Sequence, residues 1–242
     1  MEQQIYQMNI AGHPIRYRFR ETMAPKYFGA YSHPVEGNDF DICVSDDDID
    51  YIRKKLPDKP DAYLECRYLI DLTARHLLQF GACIIHAAAF SWKGYAWLLA
   101  APSGVGKSTQ MYRWAQLFGA EIQVICGDMP AISAEPDGTI MVWPTPWNGK
   151  ESWGGRTAAP LGGVLFLEQE KENSILRLEP VDVIFRYFRQ FPRNLETAEQ
   201  IHTLAMLIDR CASTYPAWLL KNRGDLESAR LTAHTLQAYI LE

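Results

Sequence analysis

Apolar positions along this chain fall into short period-2 runs and longer helical stripes, and their interleaving predicts a mixed α/β fold. Ile15, Tyr17 and Phe19 alternate with Arg16, Arg18 and Arg20, the pattern of a strand with one wet face. Phe40–Val44 predicts a second short strand. The acidic run Asp46–Asp48 that ends it reads as a solvated turn or a helix N-terminus rather than a metal site. Residues 1–60 are therefore expected to form a β-rich N-terminal extension packed on a core built from residues 61–242. Ala62–Phe80 carries Leu64, Tyr68, Leu72, Leu77 and Phe80 near helical spacing, with Gly81 as its stop. Cys83–Phe90 and Tyr95–Ala100 predict two strands of a hairpin joined by Ser91–Gly94. A helix over Ser108–Phe118 and a strand over Glu121–Cys126 follow. The Pro-, Gly- and Trp-rich stretch from Ala131 to Trp153 reads as loops around a site. Gly163–Glu168 is an apolar strand, Lys171–Asn173 a turn, and Ile175–Leu178 the returning arm of a hairpin. Helices over Val181–Gln190 and Ala198–Ser213, a short strand at Trp218–Leu220 and a closing helix over Asp225–Leu241 complete the pattern.

Composition adds boundaries. The 242 residues are 48% hydrophobic and 22% charged, enough to bury a core in one medium domain carrying a small extra layer. A net charge of −5 argues against a broad nucleic-acid-binding face. Cys43, Cys66, Cys83, Cys126 and Cys211 are scattered, without zinc or disulfide spacing, which predicts a reduced, cytoplasmic setting. Met1–Ile10 lacks the apolar region of a secretory signal, and runs such as Trp97–Pro102 are too short to cross a bilayer, so no membrane partner is expected.

The strongest chemical signal is Ala101–Thr109. Its sequence Ala-Pro-Ser-Gly-Val-Gly-Lys-Ser-Thr fits the Walker A pattern, with Ala101 in place of the first glycine. Gly104 and Gly106 let the backbone curl so that N–H groups from Ser103 through Thr109, Val105 included, can face phosphate oxygens. The following helix adds its positive end. Lys107 can reach the β- and γ-phosphates, and Ser108 can place its hydroxyl on Mg²⁺. An apolar strand before and a helix after give the motif its expected context. Asp128, just past the strand ending at Cys126, is the candidate carboxylate for the metal.

Taken together, Ile85–Ala89, Pro102–Thr109, Cys126–Ala131, Thr145–Glu151, Ala159–Glu168 and Lys171–Asn173 resemble the HPr kinase/phosphorylase superfamily, whose fold is shared with phosphoenolpyruvate carboxykinase. The chain looks closest to the short, stand-alone bacterial proteins of that type. The resemblance covers residues 80–180 well, the C-terminal part loosely and residues 1–60 hardly at all. It implies a mixed-sheet P-loop fold and Mg-dependent transfer of the γ-phosphate of ATP, or of another nucleoside triphosphate, to a hydroxyl of a protein or peptide. It also implies that Lys107 and Ser108 serve phosphate and metal, that His86 sits by the phosphates, and that Asp128 is the second residue of the family's Asp-Asp pair. Homo-oligomers occur in that family.

The first residue of the pair, a base toward the acceptor hydroxyl, is Gly127 here. This departure opens an alternative, a nucleotide-binding accessory protein with weakened chemistry. Glu151, beside Lys150 in the Pro/Trp/Gly-rich loop, is the candidate substitute base or second metal ligand. His86 can be either a packed strand residue or a phosphate neighbour. Arg156 can clamp an anion or cap a loop. Trp143, Trp147 and Trp153 are expected to fill small cores rather than stack on a base.

Overall fold

In this computed structural model residues 4–20, 26–37, 40–191 and 194–241 are described. The chain opens with the antiparallel strands β1 (Gln4–Ile10) and β2 (His13–Phe19). Helix α1 (Lys26–Tyr31) follows, then β3 (Asp41–Cys43), which lies parallel to β2. Ile15, Tyr17 and Phe19 are buried, so the alternation reports the buried face correctly. The acidic run begins helix α2 (Asp46–Lys55). Ser45 and Asp48 form a reciprocal capping box, and Arg53, Lys54 and Lys55 close the last turn, so charge complements the helix dipole at both ends.

Helix α3 (Asp61–Leu78) leads to β4 (Ala82–Ile84), β5 (Ala87–Trp92) and β6 (Tyr95–Ala100). Lys93 and Gly94, at φ 53° and 84°, make the two-residue turn between β5 and β6. After α4 (Lys107–Phe118) come β7 (Ile122–Cys126), β8 (Ala131–Ala134), β9 (Ile140–Trp143) and β10 (Ala159–Gln169). The chain ends with β11 (Ser174–Arg177), α5 (Pro180–Phe188), α6 (Ala198–Thr214), β12 (Ala217–Asn222) and α7 (Leu226–Leu241).

The main sheet is mixed and runs β4-β8-β9-β10-β6-β5-β7, with β12 beside β10 and β11 outside β12. Strands β6, β10 and β12 are parallel, and β5 is antiparallel to both β6 and β7. Helices α4 and α7 cover one face, where Trp92, Trp97, Trp114 and Leu236 pack. On the other face α3, α5 and α6 share one apolar cluster with the N-terminal sheet. Tyr17 hydrogen-bonds Thr73 of α3 at 2.9 Å, and the Arg20 amide donates to Glu65 at 2.6 Å, tying the N-terminal strands to that helix. No helix among the described residues is long and apolar enough to cross a membrane.

Three local expectations are corrected. Cys83–Phe90 is not one strand: it breaks at Ile85-His86 into β4 and β5, which pair with different neighbours. Ala131–Trp153 is not all loop, because β8 and β9 form a hairpin there. Residues around Ile175 do not fold back on the preceding strand. β12 inserts between, parallel to β10 and antiparallel to β11.

His76 of α3 is buried where Phe40 stacks on it, and the His13 ring stacks on Phe80 beside it. Burial, helped by the like charge of His13, pushes its pKa down from 6.5 to about 4. The unfolded chain protonates first, so stability is full above pH 6.5 and falls as pH drops toward 4. At most ~3 kcal/mol is at stake. Urea midpoints measured from pH 7 to pH 4.5 should fall more steeply for the wild type than for His76→Gln; parallel slopes would clear His76 of this role.

Candidate functional site

Strand direction builds the site. Because β5 runs against β6 and β7, the residue before β5 and the residues after β6 and β7 meet at one edge of the sheet. Ala87 pairs with Ala100, and Ala89 with Cys126. His86, the loop from Ala101, and Gly127-Asp128 therefore converge. Backbone bonds fix that edge: the Ala87 amide donates to Asp128 O at 2.9 Å, and the His86 amide to Gln190 O at 2.8 Å.

Gly104 (φ 85°) and Gly106 (φ 110°) carry the positive φ that the curled loop needs. Gly106 caps α4, whose first turn holds no acidic residue, so its N-terminal amides and dipole stay free for an anion. A cleft of about 330 Å³ lies over this loop. Ser103, Gly104, Gly106, Lys107, Ser108 and Thr109 form one wall; Gly127, Asp128, Gly149, Lys150 and Glu151 form the other. Val105 and His86 face an adjoining cavity of about 570 Å³ instead.

Lys107 is only 7% exposed. Its Nζ donates to Ala101 O at 2.9 Å and to His86 Nε2 at 3.0 Å. Burial lowers its pKa, partly offset by Asp128. His86 Nε2 also lies 3.4 Å from Asp128 Oδ1. One ring nitrogen cannot accept from Lys107 and donate to Asp128 at once, so the two charged groups compete for it. Among the described residues no cluster of three or more His, Cys, Asp or Glu could hold a metal on its own. Asp128 and Ser108 on facing walls suit Mg²⁺, which takes few protein ligands and completes its shell with phosphate oxygens and water.

The Pro/Trp/Gly loop is pinned. The Met129 amide donates to Trp147 O at 3.0 Å, and Thr145 Oγ1 donates to Met129 O at 2.6 Å. Asn148 contacts the Tyr31 hydroxyl at 3.0 Å and, in the orientation its neighbours satisfy, donates to Trp153 O and Thr145 O at 3.1 and 3.2 Å. A side chain at position 127 would meet Asn148 O at 2.5 Å and Trp153 O at 3.0 Å. Gly127 is thus the floor on which this loop rests. Lys150 and Glu151 are exposed at its tip, beside Asp128.

Trp147 is buried edge-on to Tyr17 and Phe28, and Trp143 donates to Ser133 at 2.8 Å, so both are packing residues. Arg156 donates to Ala30 O and braces α1 instead of reaching the cleft. Gln169, which pattern reading passed over, donates to Gly104 O at 3.3 Å from the end of β10. Its position at the C-terminal end of an apolar parallel strand is the signal that could have found it.

No family model and no curated protein sequence matches the chain. Among solved structures, the Hpr(Ser) kinase/phosphatase from Coxiella burnetii is similar at 12% identity with a TM-score of 0.38. That match covers 64% of this chain and 98% of the other. The likeness is loose.

Proposed function

We propose that this chain binds Mg–ATP in the cleft over Ala101–Thr109 and passes the γ-phosphate to a serine or threonine hydroxyl of a protein or peptide. The observation that carries the reading is the meeting of a glycine-curled loop, a buried lysine and Asp128 in one cleft at a single sheet edge. Each element answers one demand of phosphoryl transfer, which depends on positioning and charge neutralisation.

The loop amides and the α4 N-terminus hold the phosphate chain. Lys107 moves from its carbonyl and histidine partners to the β- and γ-phosphates, where its charge opposes the negative charge of the transferring group. Asp128 and Ser108 hold Mg²⁺, which neutralises phosphate charge when bound. The acceptor oxygen forms a bond to the γ-phosphorus as the bond to the β–γ bridging oxygen breaks, and ADP leaves with that electron pair. The acceptor proton passes to a carboxylate, for which Glu151 at the loop tip is the candidate now that position 127 carries none. Lys150 lies beside it on the same wall.

A second reading keeps nucleotide binding without transfer. It draws on Gly127, where the pinned loop leaves no room for a side chain. Incubation with γ-labelled ATP and serine peptides separates the two: label in the peptide supports the kinase, and tight Mg–ATP binding with neither transfer nor hydrolysis supports the alternative. Two variants assign the carboxylates. Asp128→Asn is expected to weaken Mg²⁺-dependent ATP binding ~10-fold or more. Glu151→Gln is expected to lower kcat ~100-fold or more with little change in ATP affinity. Unchanged transfer by Glu151→Gln would remove it as the base.

A further inference from the structure

Resting on the kinase reading, we infer that the groove beyond His86 receives the acceptor and selects a polypeptide segment with acidic residues beside its hydroxyl. Two cavities, about 570 and 480 Å³, share His86, Arg189 and Gln190. The first borders the phosphate loop through Pro102 and Val105, and the second borders Lys55 of α2 and Arg67 of α3. A chain lying in the second cavity therefore leads past His86 toward the phosphates.

The charges in this groove are unequal. Asp71, the carboxylate of the second cavity, is buried and already held by Arg67 at 3.0 Å and by Asn194. In the first cavity Glu168 pairs with Arg186 at 3.1 Å, and Glu170 faces Lys221 at 4.0 Å. Among the described residues Lys55 donates only to neutral partners, Tyr51 Oη at 2.7 Å and Asn194 Oδ1 at 3.2 Å. Arg189, exposed at the end of α5, has no carboxylate partner among the described residues. Among the described residues the groove thus keeps two cations without a carboxylate partner.

Gln190 stands at the wall common to both cavities. It is 8% exposed, and its side-chain oxygen has no hydrogen-bond partner among the described residues. Acidic side chains would add charge-assisted bonds to Lys55 and Arg189 without breaking an existing ion pair; basic ones would meet repulsion. Lys55 comes from α2 and Arg189 from the end of α5, so this selectivity is shared between the N-terminal region and the C-terminal half of the chain.

The test is fluorescence anisotropy of the full chain with two labelled peptide pools. Each pool has a central serine flanked by degenerate positions, drawn from Asp and Glu in one and from Lys and Arg in the other. The acidic pool should bind at least ~10-fold tighter, and the preference should shrink as salt rises. In the double variant Lys55→Glu, Arg189→Glu the preference should reverse, a gain that misfolding cannot produce. Equal affinity for both pools, no binding of either, or an acidic preference surviving in the double variant overturns the inference. Calorimetric titration of the wild type with Mg–ATP is run separately. Its failure would count against the kinase reading, whereas failure of the peptide arm with intact Mg–ATP binding counts only against the groove.

Discussion

Lys107→Met is expected to abolish measurable transfer, a loss of ~100–1000-fold or more, while leaving the nucleotide-free protein as stable as the wild type or more so. The opposite signs have one cause. Without nucleotide, the Lys107 ammonium sits 7% exposed, with two backbone carbonyls and one imidazole nitrogen as its hydrogen-bond partners. Asp128 offsets only part of the desolvation that lowers its pKa. A buried charge in such a setting is a cost to the fold, and an apolar side chain of similar length removes that cost. On the proposed function, the charge would become useful when phosphate oxygens enter the cleft. Thermal melts with and without Mg–ATP check both halves. The wild type should gain ~2.7 kcal/mol at a ligand concentration 100 times its dissociation constant. Lys107→Met should lose that gain, with an apo melting temperature at or above the wild-type value. A variant that still transfers phosphate at the wild-type rate would remove Lys107 from the mechanism.

The parts of the site that sequence revealed are those governed by local requirements. Gly104 and Gly106 occupy positive φ because the loop cannot curl otherwise, and that demand is written in the residues themselves. Asp128 was legible because an apolar strand ending in Gly-Asp places a carboxylate at a sheet edge. The N-terminus of α2 was legible as one of two readings, since three consecutive aspartates suit a first turn. What escaped depends on distant partners. Ala82–Ile84 and Ala87–Phe90 are all buried, so alternation carried no sign of the break at His86. The break exists because Ile85 bonds Pro130 and His86 bonds Gln190. β11 was misassigned because a hairpin is the local solution, whereas the apolar β12 gains more by burying both edges between β10 and β11. Lys55 and Arg189 are ordinary exposed charges in sequence, and only the fold brings them to one groove.

Gly127→Asp would supply the Asp-Asp pair of the kinases this sequence resembles and is expected to fail in structure. The φ of Gly127 is not positive, so the constraint there is space rather than backbone conformation. The first atom of any side chain would lie 2.5 Å from Asn148 O, and the loop bearing that carbonyl is fastened by Thr145, Tyr31, Met129 and the Cys126–Gly154 bridge. Overpacking of this kind costs ~1–3 kcal/mol. At ~2–4 °C per kcal/mol for a chain of this size, the melting temperature should drop by ~5–10 °C. Gly127→Ala should show most of the same loss, because Cβ alone makes the contact. Displacing the loop would carry Lys150 and Glu151 away from Asp128, so peptide phosphorylation should fall rather than rise. Faster transfer by Gly127→Asp at an unchanged melting temperature would reverse this view: the loop would then be pliable, and the absent acid alone would be what limits the chemistry.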